Sequence, residues 1–128
     1  MRVPTASFRR RLLIESLIVL AADAEVQMAW LARHGVATDE IALDFDHAFR
    51  MAEPLVAEGR LASVVMAGLR EIDVVLSGMS EGEHADRWAR DGLFTDEAWV
   101  RARCVARQVL LPELGAWPRI LPEITVIR

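Results

Sequence analysis

A row of apolar side chains, spaced three and four residues apart, runs through the first quarter of the chain. This spacing predicts an α-helix from Ser7 to His34, which ends at Gly35. Between Leu12 and Ala21 the predicted helix is apolar around most of its circumference, so we expect it to be central to the fold or covered by a second copy of the chain. The stripe consists of Leu13, Leu17, Leu20, Ala24, Met28 and Leu31.

A second helix is predicted between Thr38, a residue type that caps helix N-termini, and Gly59, a residue type that ends them. Pro54 lacks an N–H group and its ring clashes with the preceding turn, so we expect a kink or a restart near Glu53. The predicted inner face consists of Ile41, Phe45, Ala48, Phe49, Ala52, Leu55 and Val56.

A third helix is predicted from about Leu61 to Leu76, with Gly68 on its apolar stripe. Glycine weakens a helix by roughly 1 kcal/mol relative to alanine, so its presence there predicts the close approach of another helix. Ser80 and Glu83 then have the spacing of a capping box, which predicts a short fourth helix.

A fifth helix is predicted from Thr95 to Leu111, after a break at Gly92. Ala102 and Ala106 lie on its inner side, where small side chains allow close packing. The rest of this predicted inner face is Trp99, Val109 and Leu110.

The helices and their short connections predict an all-α, single-domain bundle of about five helices over residues 1–128. Its body is predicted to cover about residues 7–111. The remainder, about 112–128, contains Pro118 and Pro122 and ends in an alternating, β-branched run from Glu123 to Arg128. These features predict an extended, apolar C-terminal tail.

The charge composition of the chain makes some functional classes less suitable than others. The 128 residues contain 15 basic residues against 19 acidic ones, which gives a net charge of −4. All the basic residues are arginines, and lysine, asparagine and tyrosine are absent, which we interpret as codon bias in a GC-rich genome, such as an actinobacterial one. An acidic chain is unsuited to general nucleic-acid binding and suits a basic protein partner.

The single cysteine, Cys104, excludes an internal disulfide. The apolar run from Leu12 to Ala22 is too short to cross a bilayer. Its helical pattern continues past that run to Leu31, so we expect no signal peptide, no membrane association and a cytoplasmic location.

Two acid-x-x-His pairs, Asp44 with His47 and Glu81 with His84, have the spacing used in helical di-iron sites. The helical phase that buries Ile41 and its neighbours would turn His47 away from the core, and the second pair falls in a predicted first turn, where carboxylates serve as caps. We therefore predict no metal and no cofactor, and keep these four residues as the weaker alternative.

Two acidic stretches, over residues 38–58 and 71–97, are the remaining signal. They predict a non-enzymatic interaction module, immunity-like or antitoxin-like, that presents acidic helices to a basic partner. A homodimer is the expected assembly, because the first helix is apolar around most of its circumference. The alternative is a small helical enzyme or ligand-binding bundle with interior carboxylates and histidines. Trp88 and Trp99 are expected in the core. The predicted partner-binding residues are Asp39, Glu40, Asp44, Asp46 and Glu53, with Trp30 and Trp117 near the surface.

The pattern Ile72-Asp73-x-x-Leu76-x-x-Met79-Ser80, followed by Glu83, Trp88, Trp99 and Arg103, resembles a small uncharacterised family of actinobacterial helical proteins. The resemblance covers roughly residues 36–110. It implies a helical fold and a bacterial cytoplasmic source, and it implies no particular activity.

Overall fold

The computed structural model describes residues 5–79 and 92–115. Within them the chain forms seven α-helices and one short 3₁₀ helix, and no β-strand. The all-α prediction is confirmed, whereas the predicted number of about five helices is too low. The α-helices are α1 (Ala6–Ala21), α2 (Ala24–His34), α3 (Asp39–Phe49), α4 (Ala52–Ala57), α5 (Met66–Met79), α6 (Gly92–Thr95) and α7 (Glu97–Leu114).

Helix α1 is the centre of the fold. It packs against α3, α4 and α7, and Leu13 and Leu17 are completely buried. Ile18 and Val19, which lie off the predicted stripe, are also buried. The apolar circumference of α1 is therefore covered by helices of the same chain, as the first of the two predicted arrangements requires.

The predicted continuous helix from Ser7 to His34 is wrong, because the chain leaves the helix between Ala21 and Ala24. Ala22 and Asp23 both have extended backbone, with φ and ψ of −68° and 153° and of −60° and 150°. Apolar periodicity continues across this corner and conceals it. The predicted end of the helix at Gly35 is confirmed by a left-handed φ of 63°.

The predicted second helix restarts as expected, but a few residues earlier. Helix α3 ends at Phe49, and α4 begins at Ala52 with Pro54 in its first turn. A proline is tolerated there because the first N–H groups of a helix have no partner within the helix. The segment ends at Gly59, with φ of 71°, as predicted.

Helix α5 follows the 3₁₀ helix Ser63–Val65 and packs along α7. A Cβ atom added to Gly68 would lie 2.6 Å from Cγ2 of Val109 and 3.4 Å from Cγ1 of Val105. The predicted close approach of another helix at Gly68 is therefore confirmed.

The last described helix, α7, carries the predicted inner face, and all five of its members are buried. Its limits differ from the prediction, since Asp96 caps it in place of Thr95 and it continues through Pro112 to Leu114. Gly92 is the first residue of α6, where Leu93 is completely buried, and the fourth helix that Gly92 was predicted to end lies outside the described residues.

The predicted fourth helix and the tail beyond residue 115 lie outside the described residues, as do Trp88 and Trp117. Residues 112–114 belong to α7, so the predicted tail starts too early. In the described ranges, no helix is both long enough and apolar enough to cross a membrane.

Candidate functional site

A groove between α3 and α5 brings the two acidic stretches together. It has a volume of about 380 Å³, and Asp39 and Asp46 of α3 and Asp73 of α5 contribute carboxylates to its lining. We call it the acidic groove. Its other lining residues are Ala42, Leu43, Phe45, Leu76 and Ser77.

Helical spacing explains how α3 contributes to the acidic groove. Asp39, Leu43 and Asp46 follow one another at intervals of four and three residues, so they lie along one side of the helix. The adjacent side carries Ile41 and Phe45, each only 1% exposed, which fix α3 against the core. Leu43 is 46% exposed and lies between the two carboxylates.

The opposite wall is formed by α5, where Asp73, Leu76 and Ser77 share one side of the helix at a spacing of three and four residues. Leu76 is 6% exposed and belongs to the core. Asp73 was not among the predicted partner-binding residues. Its signal in the sequence was its place in the second acidic stretch, directly after buried Ile72.

The three carboxylates have different surroundings. Asp46 pairs with Arg50, which directly follows α3, at 2.9 Å between carboxylate oxygen and guanidinium nitrogen. Neither Asp39 nor Asp73 has a salt bridge to another described residue. An apolar floor with two carboxylates free of such pairing suits a cationic, amphipathic ligand.

The other predicted acidic residues do not join this site. Glu40 and Asp44 do not line the groove, because helical geometry turns them to another side of α3. Glu53 lies on α4 and pairs with Arg70 at 3.6 Å. The structure thus brings together Asp39 and Asp46 of the five predicted acidic residues.

Trp30 is 6% exposed and its ring centroid lies 5.2 Å from that of His34, so the prediction that Trp30 lies near the surface is wrong. It belongs to the hydrophobic core, where a large ring buries considerable apolar area. Trp99 is 1% exposed, which confirms its predicted place in the core.

The acid-x-x-His alternative can be followed only in part, since Glu81 and His84 lie outside the described residues. His47 is exposed on α3. Among the residues that the structure describes, no three histidine, cysteine, aspartate or glutamate side chains come together as a metal site would require.

A second polar cluster lies at the corner between α1 and α2. Gln27 is completely buried, and its amide nitrogen donates to the carbonyl oxygens of Val19 and Leu20 at 2.9 and 3.1 Å. Its amide oxygen accepts a hydrogen bond of 3.0 Å from Arg103. Arg103 also donates to the carbonyl oxygen of Leu93 at 2.9 Å.

Two arginines of α7 complete this corner. Nε of Arg103 donates to the carbonyl oxygen of Ala22 at 2.9 Å, and Nε of Arg107 donates to that of Ala21 at 2.8 Å. Arg107 also pairs with Asp23 at 2.7 Å. A helix leaves its last carbonyls without partners, and these side chains satisfy those at the end of α1. We call Gln27, Arg103 and Arg107 the arginine junction.

Burial lowers the pKa of Arg103, and the positive charge of Arg107 acts in the same direction, while Asp23 opposes both. The carbonyl end of α1 carries partial negative charge, which favours cations at this position. The arginines of the junction are therefore structural groups.

Cys104 is exposed on α7, and the arginines near it in the sequence are bound elsewhere. Arg103 and Arg107 bind the end of α1. Arg101 pairs with Glu71 of α5 at 2.6 Å, and this hydrogen-bonded pair raises the pKa of Arg101.

Comparison with protein-family models, with curated proteins and with solved structures found no match to this chain. The resemblance to an actinobacterial helical family stays a prediction.

Proposed function

We propose that the chain is a non-enzymatic interaction module, immunity-like or antitoxin-like, that holds a basic segment of a partner protein in the acidic groove. The observation that carries this proposal is the arrangement of Asp39, Asp46 and Asp73 around an apolar floor, with the carboxylates drawn from two helices. The floor supplies apolar contact area, and the carboxylates select cations.

The net charge of −4 supports the same conclusion. An acidic protein attracts a basic partner over several ångströms and accelerates their encounter. Within the acidic groove, Asp39 and Asp73 have no salt bridge to another described residue. A partner's cations therefore meet carboxylates that need not first release a cation of the described residues.

An enzyme or ligand-binding bundle is the second candidate, and it requires carboxylates or histidines in the interior. The buried polar side chains of the described residues are Ser16, Gln27 and Thr38, none of which is a carboxylate or a histidine. The described carboxylates lie at or near the surface. This arrangement favours the interaction module.

The proposal is tested by selecting ligands from a random-peptide display library on the immobilised full chain. The enriched sequences are expected to combine arginine or lysine with large apolar residues. A parallel selection on the triple variant D39N/D46N/D73N should lose that enrichment, whereas the E40Q variant, altered on another side of α3, should keep it. Enrichment of sequences without excess positive charge, or no enrichment at all, would contradict the proposal.

The predicted homodimer and cytoplasmic location remain part of the proposal, but the reason for the homodimer changes. Helix α1 is covered by its own chain, so it offers no large apolar face. The outer side of α7 carries Val100, Leu111 and Leu114, which are 48%, 46% and 42% exposed. Sedimentation equilibrium of the full chain, compared with an L111S variant, tests whether this side joins two copies.

A further inference from the structure

We infer that the segment bound in the acidic groove is an amphipathic α-helix with two cations seven residues apart and apolar residues between them. This inference rests on the function proposed above and specifies the conformation of the ligand. It follows from the order in which acidic and apolar side chains occur along the wall formed by α3.

The α3 wall reads acidic, apolar, acidic. Asp39 and Asp46 are separated by seven residues, which is two helical turns or about 10 Å along the axis. Leu43, 46% exposed, lies between them with Ala42 beside it. A ligand must therefore present two cations about 10 Å apart on one side, with apolar side chains in the interval.

A second helix meets this requirement. Residues i and i+7 of a helix lie on the same side about 10 Å apart, and residues i+3 and i+4 lie between them. An extended strand fits the spacing less closely. Its residues advance about 3.3 Å each and alternate between faces, so those on one face are roughly 7 or 13 Å apart.

The second wall adds a third contact. Asp73 of α5 lines the same groove, so a helix lying along it also passes one carboxylate on its other flank. The volume of 380 Å³ accommodates apolar side chains from one face of such a helix. The pair between Asp46 and Arg50 is no obstacle, because the Arg50 side chain is 73% exposed and such surface pairs contribute little.

The test uses three synthetic peptides of equal length, equal net charge and equal helix propensity. The matched peptide has arginines at i and i+7 with leucines at i+3 and i+4. The shifted peptide has the same composition with arginines at i and i+5, on different sides of the helix. The third carries prolines that prevent helix formation.

Fluorescence anisotropy with the full chain should give a Kd at least tenfold lower for the matched peptide than for the other two. Circular dichroism should show that the matched peptide gains helicity on binding. D39N should weaken binding of the matched peptide about tenfold. It should not change the affinity of a peptide with glutamine at i, which would show that Asp39 binds the cation at i. E40Q should bind like the wild type.

Equal affinity for all three peptides would overturn the helix inference and leave the proposed function standing, because the groove would then bind basic chains of any conformation. If no basic peptide bound, the result would contradict both the helix inference and the proposed function. Self-association of the full chain that D39N/D73N abolishes would make a second copy the occupant and overturn the inference. Circular dichroism of each variant establishes that it is folded.

Discussion

At the arginine junction each charged group binds other groups of the chain, whereas two of the three aspartates in the acidic groove have no salt bridge to a described residue. Arg103 makes three hydrogen bonds to groups on α1, α2 and α6 or beside them. Asp39 and Asp73 line an open groove without such a pair. Both regions are charged, but only the arginine junction has all its charged groups bound to other groups of the described chain.

The arginine junction and the acidic groove differ in how much the fold depends on their polar groups. A buried amide or a half-buried charge is costly unless it is paired, so Gln27 and Arg103 must find partners for the chain to fold as it does. Asp39 is exposed and Asp73 is half-buried, and a carboxylate in contact with water needs no partner within the chain. Residues that the fold does not require remain available for recognition.

The largest expected effect concerns the centre of the arginine junction. Arg103→Met would leave the carbonyl oxygens of Ala22 and Leu93 and the amide oxygen of Gln27 without their donor. Because three acceptors in a partly buried site would lose their donor, we expect the free energy of unfolding to fall by about 2–4 kcal/mol. Urea denaturation followed by circular dichroism measures this change.

Arg103→Lys is the matched control. An ammonium group keeps the charge but lacks the planar set of donors of a guanidinium, so it should recover only part of the loss. If both variants were as stable as the wild type, the carbonyls at the end of α1 would not depend on the junction, and the contrast with the acidic groove would fail.

The next effect concerns Gly68, which links the two regions because α5 carries Asp73 and packs on α7. Gly68→Ala places a Cβ atom 2.6 Å from a methyl group of Val109. Overpacking costs about 1–3 kcal/mol and the gain in helix propensity returns roughly 1, so we expect a net loss of about 1 kcal/mol. Thermal denaturation measures it.

Gly78 provides the control on the same helix, because a Cβ atom there would meet nothing within 4 Å. Gly78→Ala should therefore leave stability unchanged or raise it by about 0.5 kcal/mol. Equal effects of the two substitutions would show that helix propensity, and not the contact between α5 and α7, decides the outcome.

Apolar periodicity was sufficient to predict the helical class, the inner face of α7 and the close approach at Gly68. It failed at the corner after Ala21, because the side chains that stabilise the corner come from α7, more than 80 residues away in the sequence. The sequence near residue 21 contains no pattern that predicts such contacts. The arginines interpreted as codon bias therefore include two that bind the carbonyl groups at the end of α1.

The candidate site was predictable in part for a related reason. Asp39 and Asp46 were chosen from their acidic stretch, and the structure places both in the groove. Asp73 lies in the other acidic stretch, and only the packing of α3 beside α5 brings it to them. The surface position predicted for Trp30 is wrong because it was measured from the apolar stripe of one continuous helix. The chain leaves that helix at Asp23, so Trp30 lies on a separate helix with its own buried side.

The smallest expected change in stability comes from the acidic groove, and it compares the groove directly with the arginine junction. The double variant Asp39→Asn and Asp73→Asn removes two charges from the acidic groove, and neither carboxylate has a salt bridge within the described residues. Surface substitutions that break no contact change stability by about 0.5 kcal/mol or less. The helix-dipole stabilisation lost at Asp39, in the first turn of α3, is offset by the reduced repulsion among like charges. We therefore expect urea denaturation to give an unfolding free energy within that limit of the wild-type value.

Asp23→Asn is the comparison variant for this last measurement. Its carboxylate lies 2.7 Å from Arg107, although the Asp23 side chain is 78% exposed. One substitution at the edge of the junction should lower stability by up to about 1 kcal/mol, which is more than the two substitutions in the groove together. The opposite ranking would mean that the groove carboxylates support the fold, since a fold that needs them cannot hold them free for a partner.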